Sequence, residues 1–273
     1  MSRVVEWFRS IGFTFQRWLA FLTPWIIVRA LAANVVRPFQ TRKILVLGSS
    51  PTPRLPPELN SWELWAVNAS ARQADMLGLG HPAATIVDRG LFTEPTRSGA
   101  LRQIQGLDLG RVVSVSTVQL SRVARYPSNC LRISRYRRSL IVRAATGSRT
   151  IDSGTFAALS TGGFAICLAS LAASDQVFLA GFSMTLTPGT RSTPHFYYDE
   201  NITQSVSEST PDQLTARKHS AADSASLGLI ALRKSNVSSL EPDLVPLLRN
   251  WGQDPPEWWR AGARDRRSPR THR

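Results

Sequence analysis

Short apolar runs alternate with helical stretches through the middle of the chain, and this alternation limits the fold to very few classes. The runs are apolar almost throughout, as expected for strands that are covered on both faces. We therefore predict an α/β fold, with a Rossmann-like, mostly parallel sheet and helices on both faces. The predicted strands are 43–48, 63–68, 84–88, 111–116, 176–182 and 236–242, and the predicted helices are 159–174 and about 219–233.

Polar residues follow the first three predicted strands at their carboxyl ends. These residues are Gly48-Ser49-Ser50, Asn68 and Asp88. In open α/β sheets the ligand binds beyond the carboxyl ends of the strands. The sequence therefore places a binding site at this edge of the sheet, before anything is known of the ligand.

The segment Ser160-Thr161-Gly162-Gly163 opens the predicted helix 159–174. Hydroxyl groups and free backbone N–H groups at a helix start suit an anion, because the positive end of the helix dipole lies there. An ordinary N-cap, with glycines that let the helix pack closely on the sheet, explains the same residues equally well. No P-loop or dinucleotide-binding fingerprint is present.

His219 is expected at the start of the helix 219–233, where the helix dipole would keep its imidazole neutral and able to act as a general base. Asp223 follows at i+4 and could orient the other ring nitrogen. An exposed histidine at a helix start is the alternative interpretation.

The long loop before this helix carries His195, Tyr197 and Tyr198, which could donate hydrogen bonds to a phosphate. An aromatic plug in the loop is the alternative. The chain has no D-x-D motif, and its two cysteines and four histidines match no zinc spacing. The sequence thus gives no support for a metal site.

The net charge of +14 implies an anionic partner, and the charge is unevenly placed. Residues 1–44 sum to +6, residues 111–149 to +9 and residues 249–273 to +4, which leaves −5 for the rest. Segment 1–42 mixes aromatic residues with arginines, and its longest uncharged run, 18–28, falls short of the roughly 20 residues of a spanning helix.

We therefore predict that 1–42 lies on an anionic membrane surface, with the basic tail 249–273 adding to the contact. The expected location is cytoplasmic, peripheral at the inner face of the cell membrane. A helix packed on the domain or on a partner subunit is the alternative for 1–42. Nucleic acid is not expected as a partner, because few stacking aromatics accompany the arginines of 111–149.

Taken in order, these clusters resemble the motifs of the sialyltransferases. LSTGGFAICLASLAASDQVFLAGF (159–182) is similar to the S sialylmotif, and PHFYYDEN (194–201) to motif III. HSAAD (219–223) is similar to the very short motif, and the stretch from KILVLGSSP to ELWAVN (43–68) to the L motif. The resemblance covers residues 43–245, and its S-like segment is the most specific part.

The resemblance implies a single GT-A-like domain, assigned to 43–248, that transfers a sialic acid or related sugar acid from a CMP-activated donor. It implies inversion at the sugar and no metal or other cofactor. The acceptor would be a hydroxyl of a glycan or lipid-linked glycan, such as a bacterial surface glycan. The nucleotide-sugar donor would be held by residues at the sheet edge and the helix start: Gly48, Ser49, Ser50, Asn68, Ser160, Thr161, Gly162 and Gly163.

By the same resemblance, His219 would deprotonate the acceptor, and His195, Tyr197 or Tyr198 would stabilise the leaving phosphate. Ser49 stands where the family usually has Asn, and Ala158 stands where the bacterial enzymes have Arg. These departures motivate the second hypothesis, a non-catalytic basic protein with a decayed transferase fold that binds membrane or nucleic acid.

Overall fold

The computed structural model describes residues 19–50, 52–88, 102–115, 130–149, 151, 159–182, 212–234 and 236–250. For residues 212–221 and 250 it describes the backbone alone. The loop residues His195, Tyr197 and Tyr198, much of segment 1–42 and the tail from 251 onward lie outside the described residues.

In the described part of the chain, seven parallel strands form one sheet, in the order β5-β4-β3-β2-β1-β6-β7. This confirms the predicted α/β class with its parallel sheet. The strands are β1 Thr41–Leu47, β2 Glu63–Val67, β3 Ala84–Val87, β4 Arg111–Ser114, β5 Leu131–Arg132, β6 Ala173–Ala180 and β7 Val237–Ser239.

Helices cover both faces of the sheet. Successive strand residues point to opposite faces, so Ile44 and Val46 of β1 join one core cluster, and Leu45 and Leu47 join another. The larger cluster packs under α3, α4 and α5, and the opposite face carries α2. The helices are α1 Trp25–Val36, α2 Ser70–Met76, α3 Arg135–Thr146, α4 Thr161–Ala172, α5 Asp212–Arg233 and α6 Leu244–Asn250, and single 3-10 turns span Arg37–Phe39 and Leu59–Ser61.

Helix α1 lies against α3, so this part of segment 1–42 is attached to the sheet domain. Its buried residues Val28, Ala32 and Val36 recur every four positions and form one stripe. The alternative of a helix packed on the domain is therefore correct for this buried stripe. Among the described residues, no helix is long and apolar enough to cross a bilayer.

Helix α3 arises within the arginine-rich block 111–149. Ser134 caps its start by accepting a hydrogen bond from the Arg137 backbone N–H, and Gly147 ends it with a φ of 73°. The buried guanidinium of Arg143 donates to the carbonyls of Ala20 and Thr23, at 2.8 and 2.7 Å. Part of the block's charge is thus used inside the fold.

Candidate functional site at the carboxyl edge of the sheet

The order of the strands reverses between β1 and β6, because the chain builds outward from β1 to β5 and then returns to the other side of β1. Ligands of open α/β sheets bind beyond the carboxyl ends at such a switch point. Here Gly48 directly follows β1, and Gly181 directly follows β6. Gly48 N donates to the Ala180 carbonyl at 2.8 Å, and Ser50 N to the Gly181 carbonyl at 2.9 Å.

The ring of Phe182 brings the predicted Gly48 and Gly162 into one cluster. A Cβ atom on Gly48 would lie 3.1 Å from Cγ of Phe182, and a Cβ atom on Gly162 would lie 2.9 Å from its Cε1. Helix α4 passes into β6 without a loop, so the start of α4 lies at the same sheet edge as the end of β6. The two predicted donor-binding segments therefore meet at the switch point.

The start of α4 is an N-cap in which two backbone donors have no partner among the described residues. Ser160 Oγ accepts the Gly163 N–H at 3.0 Å, so the N-cap interpretation is correct for this hydroxyl. The N–H groups of Thr161 and Gly162 make no hydrogen bond to any described residue. These two groups lie at the positive end of the α4 dipole and can bind an anionic oxygen.

Asp223 closes the other side of this helix start. Its Oδ1 accepts the Ser160 N–H at 2.9 Å, and the side chain is buried with 8% exposure. A Cβ atom on Gly163 would come within 2.8 Å of the Asp223 carboxyl carbon, so only glycine leaves room for it. Asp223 therefore positions α4 through Ser160, a role that the sequence did not suggest.

The expectation that His219 stands at a helix start is wrong. Helix α5 begins at Asp212, directly after Pro211 in the sequence, so His219 is seven positions inside it. The helix extends this far because residues such as Leu214 and Ala216 favour helix. The helix-dipole argument for a neutral imidazole does not apply there. The side chain of His219 lies outside the described residues.

The direction of α5 nonetheless places His219 near the site. Asp223 lies at the start of α4, whereas Lys234, just after α5, donates to the Ser170 carbonyl near the end of α4. The two helices therefore run in the same direction. Position 219 is one turn before Asp223, so its backbone lies roughly 6 Å farther along the axis, beyond the start of α4 and on the carboxyl side of the sheet.

Asn68 lies one strand farther along the same edge, at the end of β2. Its φ of 52° is left-handed, a conformation that asparagine tolerates better than most residues. Its Oδ1 accepts the Asp88 N–H at 2.8 Å, which ties the ends of β2 and β3 together. Buried Ser70 adds a second bridge, since its hydroxyl donates to the Leu47 carbonyl at 2.7 Å and accepts the Val67 N–H at 2.7 Å.

Glu241 fixes the backbone at the switch point, and the sequence alone did not point to it. Its Oε1 accepts the Gly181 N–H at 2.6 Å and the Arg54 N–H at 3.0 Å, and the side chain is buried with 6% exposure. Arg54 consequently brings an exposed guanidinium to this edge. The sequence signal was weak, because a single acid after β7 resembles any turn residue.

Two further side chains hydrogen-bond to backbone carbonyls of the segments that form the site. Arg138 of α3 donates to the Leu159 carbonyl, just before the α4 cap, and its guanidinium lies 5.4 Å from the centroid of the Phe164 ring. Gln73 Nε2 donates to the Ser50 carbonyl, and its buried Oε1 has no hydrogen-bond partner among the described residues. Both hold backbone segments that the site uses.

Within the described part of the chain, no cluster of three or more His, Cys, Asp or Glu side chains could hold a metal ion. An open cavity of about 450 Å³ lies at the opposite, amino edge, where its lining includes Pro38, Glu63 and Arg111. We place the functional site at the carboxyl edge because the glycines, the α4 start and Asp223 meet there.

No family profile and no curated protein sequence matches this chain. Similar solved structures are sialyltransferases of Campylobacter jejuni. The monofunctional alpha-2,3-sialyltransferase Cst-I shares 15% identity over 74% of this chain and 77% of its own, with a TM-score of 0.43. CstII, solved with the substrate analogue CMP-3FNeuAc, shares 14% identity over 76% and 84%, with a TM-score of 0.45.

An apo alpha-2,3-sialyltransferase from the same organism shares 14% identity over 77% of this chain and 79% of its own, with a TM-score of 0.41. A likeness of this size says nothing about substrate or mechanism, which depend on this chain's own residues.

Proposed function

We propose that the chain is a glycosyltransferase that moves a sialic acid or a related sugar acid from a CMP-activated donor to a glycan hydroxyl. The observation that carries the proposal is the meeting of the two motif-like segments, around Gly48 and around Ser160, at one switch point. The choice of a CMP-activated donor rests on the order of the sialyltransferase-like motifs in the sequence. The acceptor class, including lipid-linked glycans, is part of the same proposal.

Binding of the donor uses backbone groups of the start of α4. The N–H groups of Thr161 and Gly162, which no described residue engages, would take an oxygen of the CMP moiety, with the Thr161 hydroxyl beside them. The loop after Gly48, with Ser49 and Ser50, would form the other wall. Asn68 keeps its amide NH₂ for the nucleotide, since its Oδ1 is already engaged with the Asp88 N–H.

The transfer is a single displacement. The acceptor oxygen forms a bond to the anomeric carbon as the bond from that carbon to the phosphate oxygen breaks, and CMP leaves with the bonding electrons. His219 takes the acceptor proton, and His195, Tyr197 or Tyr198 donates to the leaving phosphate. Inversion at the anomeric carbon follows from a single displacement, and none of these roles needs a metal.

The experiment that tests donor class is calorimetric titration of the full chain with CMP, UDP and GDP. We expect CMP to bind and the other two to bind at least tenfold more weakly. Because Arg54 brings a positive charge to the site, Arg54→Ala should weaken CMP binding by about tenfold. Arg42→Ala is the matched control, since Arg42 pairs with Asp175 at the opposite end of β1.

Equal affinity for all three nucleotides, or no binding of any, would contradict the proposed donor. An Arg54→Ala variant that binds CMP as tightly as the Arg42→Ala control would remove Arg54 from the site and leave the donor class standing.

A further inference from the structure

Five large apolar side chains near the N-terminus of the described chain point into solvent. Ile26 is 79% exposed and Leu22 is 60% exposed. Contiguous exposed apolar side chains of this size mark an interaction surface more often than isolated ones do. We call this group the N-terminal patch; its members are Leu19, Phe21, Leu22, Ile26 and Ile27.

Residues between the patch members attach this segment, residues 19–28, to the domain. Ala20 and Val28 are buried against Leu140 of α3. The guanidinium of Arg143 binds the carbonyls of Ala20 and Thr23, where the helical residues 19–22 end. The apolar side chains are therefore presented on a defined surface of the folded domain.

Positive charge lies beside the patch, around the ring of Trp25, which stands between Leu22 and Ile26 in the chain. The guanidinium groups of Arg29, Arg143 and Arg233 lie 5.5, 5.7 and 5.7 Å from the centroid of the Trp25 ring. Arg149 adds a charge close enough to lower the pKa of Arg143, although burial is the larger cause of that shift. We call these four arginines the arginine collar.

No carboxylate of the described residues forms an ion pair with the collar. The sequence has no Asp or Glu between Glu6 and Glu58, and none in 111–149. Among the described residues, the ion pairs are Arg42–Asp175 and Arg72–Asp75, and neither involves the collar. Arg143 is buried, but Arg29, Arg149 and Arg233 are exposed. Exposed apolar side chains with exposed arginines beside them are complementary to lipid phosphates above an acyl layer.

We propose that the N-terminal patch and the arginine collar dock on the surface of an anionic bilayer. Leu22, Ile26 and their neighbours enter the boundary between headgroups and acyl chains, and the exposed Arg29 and Arg233 contact lipid phosphates. A second copy of the chain is the poorer occupant, because a two-fold contact through the patch would bring two collars of like charge together. Such docking would hold the protein at the inner face of the cell membrane.

The test is co-sedimentation of the full chain with two kinds of vesicle. One contains phosphatidylcholine alone, and the other contains equal parts of phosphatidylcholine and phosphatidylglycerol. We expect binding to the anionic vesicles that falls as NaCl is raised. The double variant Leu22→Ser/Ile26→Ser should weaken this binding by at least about tenfold. Met76→Ser, at a 68% exposed residue of α2 that lies outside the patch, should leave it unchanged.

Circular dichroism of both variants checks that the fold is kept, as expected for side chains that are mostly exposed. Charge reversal by Arg29→Glu gives a second variant that removes no apolar area, and it should weaken binding to the anionic vesicles alone. Equal binding to both vesicle types would overturn the proposal, as would a double variant that binds as tightly as Met76→Ser. A dimer that forms without lipid, and that the double substitution abolishes, would also overturn it.

Discussion

Replacing His219 with alanine is expected to lower the rate of sugar transfer by 10²- to 10⁴-fold, the range typical for loss of a general base. The α4 cap is made by Ser160 and Asp223, and the backbone of residue 219 lies one turn before Asp223 in the same helix. Affinity for CMP should therefore change little. The measurement is initial rate with a CMP-sialic acid donor, with CMP affinity from calorimetry beside it.

His81→Ala is the matched control, because His81 is exposed and lies in the loop before β3, at the amino edge of the sheet. Its activity should equal that of the unaltered chain. If His219→Ala retains full activity, His219 is not the base. If the variant loses CMP binding and transfer together, His219 serves the donor site and the assignment of roles is wrong.

Gly48→Ala is expected to destabilise the fold by about 3 kcal/mol, near the upper end of the usual cost of overpacking. The new Cβ atom would lie 2.8 Å from the carbonyl carbon of Gly181 and closer still to its oxygen. Neither strand can move away, because Gly48 N and Ser50 N both hydrogen-bond across this junction. Urea unfolding followed by circular dichroism measures the loss.

Gly78→Ala is the control for backbone conformation. Gly78 has a φ of +66°, with nothing within 4 Å of an added Cβ atom, so this variant should lose only about 1 kcal/mol from the left-handed backbone. A Gly48→Ala variant as stable as Gly78→Ala would mean that the contact between β1 and β6 is looser than described.

Regular apolar runs made most of the sheet predictable. Six of the strands overlap predicted strands, namely β1, β2, β3, β4, β6 and β7. The signal is clearest in the buried parts of β1 and β2, because a strand buried on both faces is apolar almost throughout. β5 was missed because it has two residues and carries Arg132. Helix α3 was not predicted, because its arginines interrupt the apolar pattern around Leu140, Ile141 and Val142. Its ends are nonetheless marked in the sequence by Ser134 and Gly147.

The site was predictable where local motifs carry it and not where distant segments do. A helix start such as Ser160 to Gly163 can be recognised from four residues. Its long-range partner cannot, because Asp223 reaches Ser160 across 63 positions. The same holds at the end of β6, where Glu241 reaches Gly181 across 60 positions. Such contacts depend on strand order, which the spacing of apolar runs along the chain does not determine.

The most direct test of the proposed transferase is release of CMP from CMP-sialic acid by the full chain in the presence of EDTA, with the sugar product followed by NMR. We predict that CMP is released without added metal and that the new glycoside, formed with an added glycan acceptor, has the anomeric configuration opposite to that of the donor. A protein that binds anionic vesicles but neither hydrolyses nor transfers from the donor would contradict the transferase and favour the decayed fold.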